Sequence, residues 1–173
     1  LVIMFHNIGV VGGGSWGTAL AILLSKKGYN IDLWIRNEEQ CKEINNSREN
    51  IKYLPGVVIP NNAFVTSNLA QTLDNKDLIV LAVPSHAVRE TLISAKEHIK
   101  KDQIVVNVAK GIENDTLLRV SQIVHEIIPQ AKYGILSGPS HAEEVARDVP
   151  TTVVAASEEK KVARYIQDVF MTP

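Results

Sequence analysis

Three glycines constrain this chain more than any other feature. Gly12, Gly14 and Gly17 form a G-x-G-x-x-G pattern within Val10-Val11-Gly12-Gly13-Gly14-Ser15-Trp16-Gly17-Thr18-Ala19-Leu20. The apolar residues 8–11 lead in as a strand, and residues 18–24 lead out as a helix. A bare glycine pattern says little, but one set between a strand and a helix is far more specific. Gly12 permits the tight turn out of the strand. Gly14 lets a pyrophosphate approach the backbone, and Gly17 lets the helix pack closely on the sheet. The free N–H groups at the helix start, at the positive end of the helix dipole, then face phosphate.

The rest of the chain repeats the alternation. Buried strands are expected over residues 7–11, 30–35, 77–83, 103–108 and 133–136, with a short one at 64–67 and a last one at 151–156. Helices are expected over residues 15–27, 38–46, 69–73, 85–99, 114–128 and 158–169. Gly28 ends the first helix after two lysines, Ser85 is the expected N-cap of the fourth, and Pro129 stops the fifth, whose buried side is read as Leu117, Leu118, Ile123, Val124 and Ile127. Residues 47–62 read as a long, turn-rich connection anchored by Tyr53, Leu54 and Pro55. This pattern gives an α/β fold, a doubly wound and mostly parallel sheet with helices on both faces.

The 173 residues suffice for one well-buried domain. A net charge of −1 gives no reason to expect a nucleic acid or an anionic membrane as partner. No apolar run reaches the roughly 20 residues that span a bilayer. Residues 1–7 are apolar but lack the charged region and cleavage site of a signal peptide, and Met4 is the expected natural start. Cys41 is the one cysteine. It offers neither a disulfide framework nor a thiolate metal site, which fits a reducing cytosol, and no metal is expected.

The end of the second strand selects the nucleotide. An NAD site usually carries an acid about 20 positions beyond the glycines, on the ribose 2′-OH. That count lands on Arg36 and Asn37, with no acid, and Asp32 lies too early, inside the strand. Arg36 suits a 2′-phosphate, so the expected cofactor is NADP(H), with NAD(H) also open. In an open parallel sheet the carboxyl ends of the strands line the ligand crevice. Val83, Pro84 and Ser85 are thereby placed near the nicotinamide end. His86 reads as a surface helix histidine more readily than as an acid–base group. Lys110, beside Gly111 at a strand end, is the cation best placed for chemistry. Residues 137–144 form a second phosphate-friendly turn with Ser140 as the expected N-cap. Glu143 and Glu144 are adjacent on a helix and do not face each other, so they are no acid–base pair.

Five blocks in this order carry a resemblance: Gly12-x-Gly14-Ser15-Trp16-Gly17-Thr18-Ala19, Tyr53-Leu54-Pro55-Gly56, Val83-Pro84-Ser85, Ala109-Lys110-Gly111-Ile112-Glu113 and Leu136-Ser137-Gly138-Pro139-Ser140. Together they closely resemble the bacterial NAD(P)-dependent glycerol-3-phosphate dehydrogenases, over essentially the whole chain from Asn7. The resemblance implies a Rossmann-like fold over residues 1–173. It also implies an oxidoreductase that interconverts sn-glycerol 3-phosphate and dihydroxyacetone phosphate for glycerophospholipid synthesis in the cytoplasm. It implies that Gly12, Gly14, Ser15, Trp16, Gly17, Arg36, Tyr53, Lys110 and Ala142 bind the cofactor, and that Lys110, Gly138 and Ser140 approach the substrate. The family carries a further helical domain with the proton-transfer lysine. On that reading this chain is the cofactor-binding domain alone, it holds no catalytic residue and turns over little, and Met171-Thr172-Pro173 resembles the hinge. The full-length enzyme is implied to be a homodimer. Two other readings stay open at this point, a related NADP-linked hydroxy-acid dehydrogenase and a non-catalytic NADP(H) sensor domain.

Overall fold

The computed structural model describes residues 6–172. Leu1 to Phe5 and Pro173 lie outside the described residues, and with them the expected start at Met4 and the last residue of the hinge-like segment. The first βαβ unit forms as the glycine pattern requires: β1 (Asn7–Val11), α1 (Ser15–Lys26) and β2 (Asn30–Trp34). There follow α2 (Glu38–Ser47), a hairpin of β3 (Glu49–Asn50) and β4 (Leu54–Val58), β5 (Ala63–Thr66), α3 (Leu69–Leu73) and β6 (Leu78–Leu81). The second half runs α4 (Val88–Ala95), β7 (Ile104–Asn107), α5 (Val120–Ile127), β8 (Lys132–Ser137), α6 (Ala142–Ala146), β9 (Val154–Ala156) and α7 (Lys160–Phe170).

Seven strands form one sheet in the order β5-β2-β1-β6-β7-β8-β9. All neighbours pair in parallel except β8 with β9, which are antiparallel. Leaving out the hairpin and β9, this is the doubly wound order in which the sheet is built outward from its first strand in both directions. The connections out of β1 and β6 leave on opposite faces, and a crevice opens between their carboxyl ends. Side chains alternate across the pleat. Ile8, Val10, Leu78 and Val80 pack on one face with α1, α2 and α7. Val11, Ile79 and Leu81 pack on the other with α3, α4 and α5.

Several expected elements differ from those observed. The helix expected from Ser85 is split, with a 3₁₀ turn at Ser85–Ala87, the α-helix only at Val88–Ala95, and a second 3₁₀ turn at Lys96–His98. Pro84, not Ser85, stands at its N-cap. The helix expected from Asn114 starts only at Val120. Residues 114–119 instead wrap the carboxylate of Glu113. The Glu113 N–H donates to the Leu118 carbonyl at 2.9 Å, and Leu117 turns into the left-handed region at φ 57°. Leu117 is therefore exposed rather than on the buried side. The strand expected over residues 151–156 is confined to Val154–Ala156. The long connection is partly ordered: β3 and β4 pair, and the Arg48 guanidinium donates to the carbonyls of Ile59, Pro60 and Ala63.

At the far end of α1, the Lys27 ammonium donates to the carbonyls of Asp168, Val169 and Met171 at 3.0, 2.6 and 2.5 Å. It satisfies the orphan carbonyls at the end of α7 and fastens that helix to α1. No helix among the described residues is long and apolar enough to cross a membrane.

Candidate functional site

The glycine turn sits where β1 runs into α1. Gly12 is at φ 119°, and a Cβ there would lie 2.8 Å from the Ala82 carbonyl carbon. A Cβ on Gly17 would lie 1.9 Å from the Gly12 oxygen, so the helix approaches the sheet as closely as only glycine permits. Around Gly14 the opposite holds, because a Cβ there would meet nothing within 4 Å. Two glycines are consumed by packing and one leaves open space. The first turn of α1 carries no acidic side chain and no side-chain cap. The positive end of its dipole is left to whatever enters the crevice.

That crevice has a volume of about 740 Å³ and runs across the carboxyl ends of β1, β2, β6 and β7. Gly12, Gly14, Ser15, Trp16, Arg36, Tyr53, Lys110, Ser140 and Ala142 all line it. Residues from Gly12 to Glu143 are thus brought to one wall-and-floor arrangement. Gly17 and Gly138 are not on its surface. Gly17 is buried in the helix–sheet contact, and a Cβ on Gly138 would lie 2.8 Å from the Thr152 carbonyl oxygen. His86 is exposed and also off the crevice.

Two buried donors on the lining have no partner among the described residues, Trp16 Nε1 and Gln40 Nε2. Buried polar groups are nearly always hydrogen-bonded. Orphaned donors on an open crevice, together with the space at Gly14, fit a ligand rich in acceptors. Gln40 lies in the first turn of α2, whose N-cap is Asn37: its side chain accepts from the Gln40 N–H at 2.8 Å. Arg36 is well exposed at the end of β2, and its Nη2 lies 3.8 Å from a Glu90 carboxylate oxygen. An exposed pair at that distance is weak, so the guanidinium remains available to an anion. Asp32, within β2, is paired with Lys76 at 2.5 Å. Ser15 differs in use, since its hydroxyl already donates to the Tyr53 carbonyl at 2.6 Å.

The other end of the crevice is built from loops. Lys110 is exposed, and its ammonium lies 3.4 Å from the Ser140 carbonyl oxygen. The buried Asn107 side chain shapes the turn that leads to it, bonding both the N–H and the carbonyl of Ala109. Beyond Gly111 the loop is clamped by Glu113, whose carboxylate takes a bidentate contact from Arg89 at 2.8 and 3.0 Å. Arg89 also reaches Glu126 at 2.9 Å. The Arg89 guanidinium, and then the Thr116 hydroxyl, hold the Glu113 carboxyl below the usual carboxylate range. Ser140 does not cap α6. His141 stands at that position without a side-chain bond, and the Ser140 hydroxyl donates to the Gly138 carbonyl at 3.4 Å. With only one helical turn behind it, α6 has little dipole to offer a phosphate.

Sequence reasoning missed Gln40, Asn107 and Asn50. The first two are polar residues at the start of a helix and the end of a strand, where a search along strand ends would have met them. Asn50 lies within the segment read as a connection, and no local signal marks it.

The sheet order, the glycine turn and the crevice at the switch point between β1 and β6 define a dinucleotide-binding domain of the Rossmann class. Within that class, the chain belongs to the family described as the NAD-dependent glycerol-3-phosphate dehydrogenase N-terminus, whose model matches residues 7–163. A relative named glycerol-3-phosphate dehydrogenase [NAD(P)+] from Clostridium tetani is 50% identical over 166 residues, covering 96% of this chain and 48% of the relative. A crystal structure of glycerol-3-phosphate dehydrogenase from Coxiella burnetii superposes with a TM-score of 0.92 at 29% identity, covering 97% of this chain and 51% of that one. The Plasmodium falciparum glycerol-3-phosphate dehydrogenase structure gives 0.89 at 27% identity, covering 97% and 50%. The chain thus spans about half the length of the curated relatives it matches.

Proposed function

We propose that this chain is the cofactor-binding half of an NAD(P)-dependent glycerol-3-phosphate dehydrogenase that prefers NADP(H) and accepts NAD(H) more weakly. The single observation that carries the reading is the crevice itself. It brings the glycine turn, Arg36 and Lys110 to one surface in a chain of this family. The pyrophosphate is held at the start of α1, where Gly14 leaves room. The 2′-phosphate is held by Arg36, and the nicotinamide end lies toward Val83 and Pro84. The cofactor, when bound, supplies or accepts the hydride. The Lys110 ammonium lies where a substrate's oxygen or phosphate can be met, beside the Ser140 carbonyl that steadies it. Ser140 and the backbone at Gly138 complete the approach for dihydroxyacetone phosphate or sn-glycerol 3-phosphate. The proton-transfer lysine, the remaining substrate ligands and the dimer contacts belong to a helical domain outside this chain. The longer enzyme works in the cytoplasm and feeds glycerophospholipid synthesis.

Fluorescence titration of the chain with NADPH and NADH tests the cofactor assignment, since Trp16 and Trp34 both line the crevice. Tighter NADPH binding that Arg36→Ala abolishes supports it, and equal loss for both nucleotides removes Arg36 from the role. Assay of the full-length polypeptide with dihydroxyacetone phosphate against 2-keto acids tests the substrate. Turnover of a 2-keto acid alone would move the chain to another dehydrogenase.

A further inference from the structure

Asn50 is buried, with 1% of its surface exposed, in β3 and outside the crevice lining. Its amide nitrogen donates to the Gly13 carbonyl at 3.0 Å and to the Thr18 hydroxyl at 2.9 Å. That hydroxyl in turn donates to the same Gly13 carbonyl at 3.4 Å. Both acceptors lie on one side of the amide, so the nitrogen must face them. The reverse orientation would set two carbonyl oxygens against each other. The Asn50 Oδ1 is left buried with no partner among the described residues. A buried unpaired carbonyl is a cost, and the site carries it to keep the donors.

The consequence lies at the other side of the same peptide unit. No peptide bond among the described residues is cis. In a trans peptide the C=O and the following N–H point in opposite directions. With the Gly13 oxygen drawn inward to Asn50 and Thr18, the Gly14 N–H is directed outward, to the crevice that Gly13 and Gly14 line. Glycine has no side chain to enforce that orientation, and the peptide is free to turn over without an external hold. A second tie, from the Ser15 hydroxyl to the Tyr53 carbonyl, fastens the same hairpin to the next residue of the turn.

We infer that Asn50 is a positioning residue for pyrophosphate recognition, fixing the Gly13–Gly14 peptide so that its N–H faces the ligand. The inference rests on the cofactor reading above and extends it to the β3–β4 hairpin, which serves as the rear support of the glycine turn. Asn50 touches no ligand and acts through Gly13.

Calorimetric titration of the chain with NADPH, ADP-ribose and 2′-AMP separates this role from a general one. Asn50→Ala is expected to weaken NADPH and ADP-ribose, which carry the pyrophosphate, by about tenfold, the worth of one lost hydrogen bond to a phosphate. Binding of 2′-AMP, which lacks it, changes by less than about twofold, a difference within the noise of one weak contact. Asn50→Asp, which places acceptors against the Gly13 oxygen, loses more than Asn50→Ala. Equal weakening of all three ligands means a general structural role and overturns the inference, as does a folded Asn50→Ala that binds them all like the wild type. Where the Asn50 variants fail to fold, Thr18→Val decides: the same ligand split at smaller amplitude supports the inference, and its absence overturns it. A wild-type chain that binds neither NADPH nor ADP-ribose overturns the cofactor reading itself.

Discussion

The two ends of the crevice are held by different means. At the glycine turn, the backbone is set by close packing: Gly17 against the Gly12 carbonyl, and the Gly13 carbonyl against Asn50 and Thr18. At the Lys110 end, irregular loops are set by side chains: Asn107 under the turn, and Arg89 across Glu113 and Glu126. The first arrangement tolerates no added atom at Gly12 or Gly17 and leaves room only at Gly14. The second depends on charges near the surface and on a lysine in solvent. A site that recognises an invariant part, a phosphate, suits rigid backbone. A site that must meet a reacting substrate suits loops that can adjust.

The comparison can be broken most sharply at Lys110. Lys110→Ala, at an exposed side chain, is expected to leave the melting temperature nearly unchanged. It should lower the turnover of the full-length enzyme by at least about 100-fold, the usual loss when one charge-stabilising donor is removed. A collapse in melting temperature instead would make that end structural. At the other end the effects should fall on folding. Gly17→Ala drives a methyl into the Gly12 carbonyl. It is expected to cost about 3 kcal/mol of stability, read by denaturant titration, because an overpacked backbone contact has nowhere to relax. Gly14→Ala, with empty space around it, should leave the fold intact. Arg36→Ala should weaken NADPH by about tenfold, one charge-assisted contact, with NADH little changed.

The smallest effect is also the most diagnostic of the loop end. Arg89→Met should lower the melting temperature near neutral pH. The Glu113 carboxyl titrates lower in the folded chain than in the unfolded one. The stability it lends is therefore present above the ordinary glutamate range and is lost as the pH falls through the folded value. The gap between wild type and Arg89→Met should accordingly close in acid. A gap that persists there would mean that packing of the Arg89 stem, not the charge pair, holds the loop.

The same division explains what was legible in the sequence. Sheet strands buried on both faces announce themselves as unbroken apolar runs, and β1, β6 and β7 fell where expected, to within two residues. The glycine turn was legible because its constraint is local. Residues 114–119 misled because Leu117 and Leu118 match a helical stripe. What decides that segment is a carboxylate partnered by Arg89, 24 residues earlier in the chain. Ser85 and Ser140 misled for a related reason: each has the chemistry of a helix cap, but the helices behind them begin later or last one turn. Asn50 was invisible, since its meaning depends on a carbonyl 37 residues away.

Lys27 gives α1 a second use. The helix starts at the glycine turn and ends at the ammonium that grips the last carbonyls of α7. Twelve residues at about 1.5 Å each make a strut of about 18 Å. One end of that strut is the glycine turn and the other is the hold on the last turn of α7. The spacing between the glycine turn and the end of α7 is thereby gauged by a single helix, with no loop between its two ends.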